Sequence, residues 1–285
     1  MQRLRYALRM LELSRTVRLC LNVDTAHRGD MLPDDARSNT FAAWPPPRGL
    51  ARYVEVRVTC RGEAHARTGY FINIRDIDEA VREHGLPRLF RAIREETQGR
   101  CTALGALVYG LLEDVQPALN GTVAALELRL TPVTTMTAQT APSGDTHTVL
   151  LRQRYEFSAA HRLHVPEYSD SQNREIFGKC NNPAGHGHNY MFEVAVDCPV
   201  DSDGRTLEVG ELDAVVDACA VDRLDHKHLN EDVPEFASRN PSVENISEVV
   251  WGFLVDRMPG RSRLREITVW ETGKTSCTYR GPTED

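Results

Sequence analysis

Gly69-Tyr-Phe-Ile-Asn-Ile-Arg-Asp-Ile-Asp-Glu-Ala-Val81 returns, altered, as Gly204-Arg-Thr-Leu-Glu-Val-Gly-Glu-Leu-Asp-Ala-Val-Val216. Ile72 lies over Leu207, Ile74 over Val209, Ile77 over Leu212 and Asp78 over Asp213. Upstream of the two copies, Tyr53-Val-Glu-Val-Arg-Val58 matches Met191-Phe-Glu-Val-Ala-Val196; downstream, Leu107-Val-Tyr-Gly-Leu-Leu112 matches Val249-Val-Trp-Gly-Phe-Leu254. One short apolar match is chance. Three in the same order make an internal duplication. Thr131 to Thr148 between the halves is rich in Thr, Ser, Ala, Gly and Pro and has no periodicity, so it reads as a linker. The chain then divides into a domain over 1–132, a linker over 133–148 and a domain over 149–285.

Each half reads alike. In the second, alternating strands are expected near Val149 to His161 and His188 to Val196, helices near Glu211 to Leu224 and Ser242 to Met258, and a last strand near Leu264 to Trp270. Ser242 can cap the second helix, whose Ile246, Val249, Val250, Phe253 and Leu254 form one apolar stripe. Strand pairs flanking two helices predict an α+β layer, an antiparallel four-stranded sheet with two helices on one face, twice over.

The chain has 285 residues, 41% hydrophobic and 26% charged, enough to bury a core. Its net charge of -7 argues against a broad nucleic-acid-binding surface but leaves room for a local basic pocket. Seven scattered cysteines without a CxxC pair read as free thiols in a reducing compartment. No stretch has the length of a membrane span, and the start carries Arg3, Arg5 and Arg9 without a signal-peptide apolar core. The expectation is a cytoplasmic protein with no nucleic-acid or membrane partner; an Arg-rich transit peptide is the weaker alternative.

The chemistry gathers in the second half. His186 and His188 flank Gly187, so on a strand both imidazoles face one way. His161 ends the strand Tyr155-Glu-Phe-Ser-Ala-Ala-His161, with His164 a competing third ligand. Three imidazoles and an open position suit a catalytic Zn²⁺; alternatively the histidines are surface or hydrogen-bonded core residues. Cys180, six residues before His186, can be a ligand, a base or an inert thiol. In Leu224-Asp-His-Lys-His-Leu229, Asp225 beside His226 can orient a proton-moving imidazole, although adjacent side chains rarely bond each other, so a shared third group or simple helix-end capping is expected as readily. Glu271 at the last strand's end can accept two N–H bonds from a guanidine-like edge, or be a solvated edge carboxylate. Glu244 fits the helix dipole.

Together, Phe157-Ser-Ala-Ala-His-Arg-Leu163, Phe177-Gly-Lys-Cys-Asn-Asn-Pro-Ala-Gly-His-Gly-His-Asn-Tyr190, Leu224-Asp-His-Lys-His-Leu-Asn230, Pro241-Ser-Val-Glu-Asn245 and Trp270-Glu-Thr272 closely resemble the 6-pyruvoyltetrahydropterin synthase family. The resemblance implies two tandem tunnelling-fold (T-fold) domains in a homo-oligomeric barrel. It implies Zn²⁺ on His161, His186 and His188, catalysis by Cys180 with Asp225 and His226, and Glu271 as pterin anchor, with Ser242 and Glu244 in the pterin-binding stretch. The implied substrate is 7,8-dihydroneopterin triphosphate and the product 6-pyruvoyltetrahydropterin, a carbon–oxygen lyase reaction that releases triphosphate. The related 6-carboxytetrahydropterin synthases of the queuosine pathway share the zinc site and the cysteine; the interval from Cys180 to His186 resembles the pyruvoyl type. Cys180 argues against relatives with glutamate there that make a hydroxymethylpterin. Val243, where threonine is common, departs from the pattern. A catalytically silent zinc- or pterin-binding scaffold is the rival of another class, and it would need none of Cys180, Asp225, His226 and Glu271.

The first half lacks this chemistry. Arg48 and Leu50 fall opposite His186 and His188, Phe90 and Arg91 opposite Asp225 and His226, and Pro132 opposite Glu271, with His27 only a loose counterpart of His161. A noncatalytic partner domain is expected, or one whose Arg48 or Arg91 serves a neighbouring site.

Overall fold

The computed structural model describes residues 10–22, 39–47, 49–140 and 147–282, so Arg48 and His27 lie outside the described residues. The chain forms two compact units. One is Met1–Leu150 with Pro199–Thr206, the other Leu151–Cys198 with Leu207–Asp285.

The first unit runs β1 (Met10–Leu21), β2 (Arg52–Glu63), α1 (Ile74–Ala80), α2 (Leu86–Thr97), α3 (Leu104–Val115), β3 (Val123–Thr131) and β4 (Thr134–Gln139). All four strands pair antiparallel in sequence order. Strand alternation buries Val54, Val56 and Val58 of β2 and Leu126 and Leu128 of β3, and the helices bury Ile77, Leu89, Ile93, Val108 and Leu111. Asn73 caps α1, its side chain accepting from the Arg75 N–H. On the other face Glu55 takes ion pairs from Arg18 and Arg129, both at 3.0 Å.

The segment read as a linker is partly structured. Thr134–Gln139 forms β4, with Thr134 to Ala138 buried, because alternating Thr, Met and Ala side chains pair well on a pleated sheet despite their loop-like composition.

The second unit contains β5 (Thr148–His161, entering from Leu151), α4 (Asp170–Phe177), β6 (His186–Pro199), α5 (Val209–Val216), β7 (Lys227–His228), α6 (Val243–Leu254), β8 (Arg263–Thr272) and β9 (Thr275–Tyr279). The strand order is β5-β6-β8-β9, and the two-residue β7 adds a fifth, parallel strand beside Ala159 and Ala160 of β5. Phe157, Tyr190 and Phe192 are buried together; Phe157 stacks on Tyr190 with ring centroids 4.9 Å apart and meets Phe192 edge-on. Ser242 caps α6 as expected, accepting from the Asn245 N–H at 3.4 Å. On the opposite sheet face Arg152 joins Glu193 at 2.9 Å and Glu266 at 2.7 Å.

The repeated sequences occupy like places. Ile74 and Val209 each open a helix, and each helix passes into one π turn, Val81–Gly85 and Asp217–Val221. Asp78 and Asp213 each accept a bond from the unit's first strand, from Arg15 and from the Tyr155 hydroxyl, both at 2.8 Å. The β3–β4 and β8–β9 hairpins pair Thr131 with Thr134 and Thr272 with Thr275. This register puts Leu130, not Pro132, in the place of Glu271.

Candidate metal centre and active site

The HxH spacing works as strand geometry requires. β6 begins at His186, so His186, His188 and Tyr190 point to one face. Gly185 just before it has a φ of 70°, and a Cβ there would lie 2.8 Å from the His228 ring and 3.1 Å from the His161 carbonyl oxygen. Glycine is therefore what lets the chain enter the strand so close to β5. His161, fully buried at the end of β5, completes the cluster. One ring nitrogen from each of the three histidines lies within 4.8 Å of the others, and the Nε2 atoms of His161 and His186 are 3.1 Å apart.

The tautomer of His161 is fixed from behind. Its Nδ1 lies 2.7 Å from the carbonyl oxygen of Pro241, which can only accept, so Nδ1 carries the proton and Nε2 presents a lone pair. Burial lowers the His161 pKa to about 4, and burial with the neighbouring His188 lowers that of His186. Burial thus favours the neutral form of His161 and His186, the form that ligates metal. The buried Nε2 of His188 has no hydrogen-bond partner among the described residues. Facing lone pairs about 3.4 Å apart are what a tetrahedral ion with Zn–N bonds near 2.1 Å would require, so the donor set fits such an ion. His164 is not part of the cluster: its Nδ1 lies 3.0 Å from Asn181 Nδ2, and its amide donates to Asn240.

Glu271 is the next-to-last residue of β8, its Oε1 3.5 Å from His161 Nε2 and 3.6 Å from His188 Nε2. The carboxylate stands over the histidines rather than in solvent. Tyr190 is buried, and burial, with the charges of Glu271 and Cys180, holds its phenol well above the usual range. Cys180 is half-buried in a 3₁₀ turn, Gly178–Asn181. Its carbonyl accepts from the Leu163 N–H at 2.9 Å, and Asn181 next to it donates to the Leu163 carbonyl at 2.8 Å. Asn173, fully buried, bonds both the N–H and the carbonyl of Val165.

Asp225 and His226 bond each other, so of the readings open in the sequence the carboxylate-oriented imidazole is the one that forms, despite the rarity of bonds between adjacent side chains. His226 has a φ of 55°, a left-handed conformation that folds its ring back, so its Nδ1 donates to Asp225 Oδ2 at 2.6 Å. Asp225 Oδ1 accepts from the Ser158 N–H at 2.7 Å. These bonds, the Ser158 amide first, hold the Asp225 carboxyl below its ordinary range. The His226 side chain is 82% exposed, and no hydrogen bond links it to Cys180 or the three histidines among the described residues. Ser242 is used as the helix cap, and Glu244 lies exposed in the first turn of α6. Sequence reasoning missed the Pro241 carbonyl and the asparagines 173 and 181. Their only signal was polar residues inside otherwise structured blocks.

An α+β unit carrying an open three-histidine centre beside a cysteine and an Asp–His pair defines a class of site, and the comparisons give it a family. The family described as 6-pyruvoyl tetrahydropterin synthase matches residues 150–282. A 6-pyruvoyl tetrahydrobiopterin synthase of Drosophila melanogaster is 42% identical over 133 residues, 46% of this chain and 79% of that protein. The Homo sapiens protein of the same name is 38% identical over 130 residues, 45% of this chain and 89% of its own length. A solved Caenorhabditis elegans 6-pyruvoyl tetrahydropterin synthase is 37% identical, covering 47% of this chain and 96% of its own, with a TM-score of 0.45. The chain belongs to the 6-pyruvoyl tetrahydropterin synthase family, a family of lyases.

Proposed function

We propose that the second unit converts 7,8-dihydroneopterin triphosphate to 6-pyruvoyltetrahydropterin with release of triphosphate. The observation that carries this reading is the convergence of three imidazoles, one with its tautomer fixed by Pro241, in a family member that also has Cys180, Asp225, His226 and Glu271. His161, His186 and His188 would hold Zn²⁺, which when bound supplies a Lewis acid to the substrate's side-chain hydroxyls. Glu271 accepts the guanidine-like edge of the pterin through its two oxygens. Cys180 moves a proton at the substrate side chain. His226, oriented by Asp225, accepts and returns protons through Nε2. Ser242 and Glu244 lie on the stretch that meets the pterin. Oxidation of the side chain is matched by reduction of the ring, so no redox cofactor takes part.

The two units are proposed as tandem tunnelling-fold domains, 1–132 and 149–285, the first noncatalytic, assembling as a homo-oligomeric barrel in the cytoplasm. The matching helix starts, π turns and hairpins support the duplication. The described residues contain no helix long and apolar enough to cross a membrane.

The test is incubation of the purified, zinc-loaded protein with dihydroneopterin triphosphate and mass identification of the product. The pyruvoyl product is expected. A carboxytetrahydropterin would move the assignment to the second reading, and absence of triphosphate release with zinc bound would leave the silent scaffold.

A further inference from the structure

The first unit contains a cavity of about 200 Å³ between its sheet and helices α2 and α3. Its walls include Val54, Leu128 and Leu130 from the strands and Leu89, Ile93 and Leu107 from the helices. The register of the hairpins places Leu130 where the second unit has Glu271, and the strand match places Arg52 where it has Tyr190. The strand ends that carry the histidine centre in one unit thus line an apolar hole in the other.

Polar groups sit at the rim. Arg52 Nη1 donates to Glu96 Oε2 at 2.6 Å, and the Thr102 hydroxyl donates to Glu96 Oε1 at 2.8 Å. Arg129 and the Tyr53 hydroxyl, on the adjoining strand positions, turn to the other face of the sheet and are committed to Glu55. Arg52 is different. Its side chain is 55% exposed, and among the described residues its guanidinium bonds Glu96 alone, leaving further N–H groups for an acceptor.

These features set the ligand's chemistry. An apolar cavity of roughly 150 Å³ takes a benzene ring, so this one takes a six-membered ring with a short substituent. Apart from Arg52 and its partner Glu96, the side chains on this face of the cavity are aliphatic, and a planar guanidinium suits one carboxylate. Glu96 already offsets much of the Arg52 charge, which argues against a polyphosphate. We propose that this cavity binds a single-ring apolar monocarboxylate, with the ring among the leucines and the carboxylate on Arg52.

Calorimetric titration of the full chain with 3-phenylpropionate, and with its uncharged amide, tests this. The acid is expected to bind saturably at millimolar concentration or below, and the amide at least about tenfold more weakly, the loss of one charge-assisted bond. Arg52→Gln should bring the acid down to the affinity of the amide. Ala92→Trp, which fills the cavity from α2, should abolish binding of both with the far-UV dichroism kept; if it unfolds, Ala92→Leu carries the same test. Absence of saturable binding to the parent overturns the site. Equal binding of acid and amide, or an undiminished Arg52→Gln, overturns the role of Arg52. Undiminished binding by a folded Ala92 variant overturns the location.

Discussion

Replacing Asp225 by asparagine separates the charge of the Asp–His pair from its shape. The carboxylate accepts two bonds at once, from the Ser158 N–H at 2.7 Å and from His226 Nδ1 at 2.6 Å. An amide of the same size has one acceptor oxygen, so one of the two donors must face an NH₂ group. Losing a bond to a charged acceptor costs about 1.5–3 kcal/mol when water cannot replace it. Asp225 is 35% exposed, so solvent offsets part of that, and a stability loss of about 1 kcal/mol is expected. The kinetic effect should be larger. Without the carboxylate, His226 loses the partner that holds its proton on Nδ1 and its lone pair on Nε2, and a positioned general acid–base group contributes about 10²–10⁴ in rate. Turnover of dihydroneopterin triphosphate in Asp225→Asn should fall at least about 10²-fold by that measure, with zinc content unchanged. The pH dependence follows in sign. The folded carboxyl titrates below its unfolded value, so its contribution is complete above the unfolded pKa, near 3.9, and is lost as pH falls through the folded value. Thermal midpoints of parent and variant should therefore differ by a constant amount at neutral pH and converge in acid. A variant with parent-like kcat/KM, intact fold and intact metal would refute the proton-relay role.

Three further outcomes are expected. His186→Ala should lower zinc affinity by more than the roughly 10–100-fold typical of losing a group behind a ligand; unchanged zinc content by elemental analysis would sink the ligand assignment. Gly185→Ala meets both a positive φ and the His228 ring, so a loss of about 1–3 kcal/mol and weakened metal binding should appear in chemical denaturation with and without zinc; parent-like curves would contradict the close approach. Asn181→Ala removes the bond to the Leu163 carbonyl, which should cost about 1–3 kcal/mol and change the alkylation rate of Cys180; an unaltered rate would mean the turn holds its cysteine without Asn181.

Much of this was legible in the sequence for physical reasons. Period-two alternation in Met191 to Val196 and the apolar stripe from Ile246 to Leu254 reflect burial of one face, so both elements lie where the pattern puts them. The two histidines flanking Gly187 face one way because strands alternate. What escaped depends on partners distant in sequence. Thr134–Gln139 reads as a loop until β3 is there to pair with it. The Pro241 carbonyl reaches His161 across 80 positions, and a backbone group leaves no trace in a side-chain pattern. The Asp225–His226 bond requires a left-handed residue that is not glycine, a conformation uncommon even for histidine, which tolerates it better than most.

The bond from His161 to Pro241 ties two things that could have been independent. The carbonyl it uses stands immediately before the Ser242 cap, so the imidazole hangs from the doorstep of α6. Any movement of that helix end is transmitted to the ring as rotation. The α6 stripe is buried at Ile246, Val249, Val250, Phe253 and Leu254, so the helix is clamped along its length and the strut behind the ligand is stiff. This apolar helix therefore does double service as the bracket that aims a nitrogen lone pair.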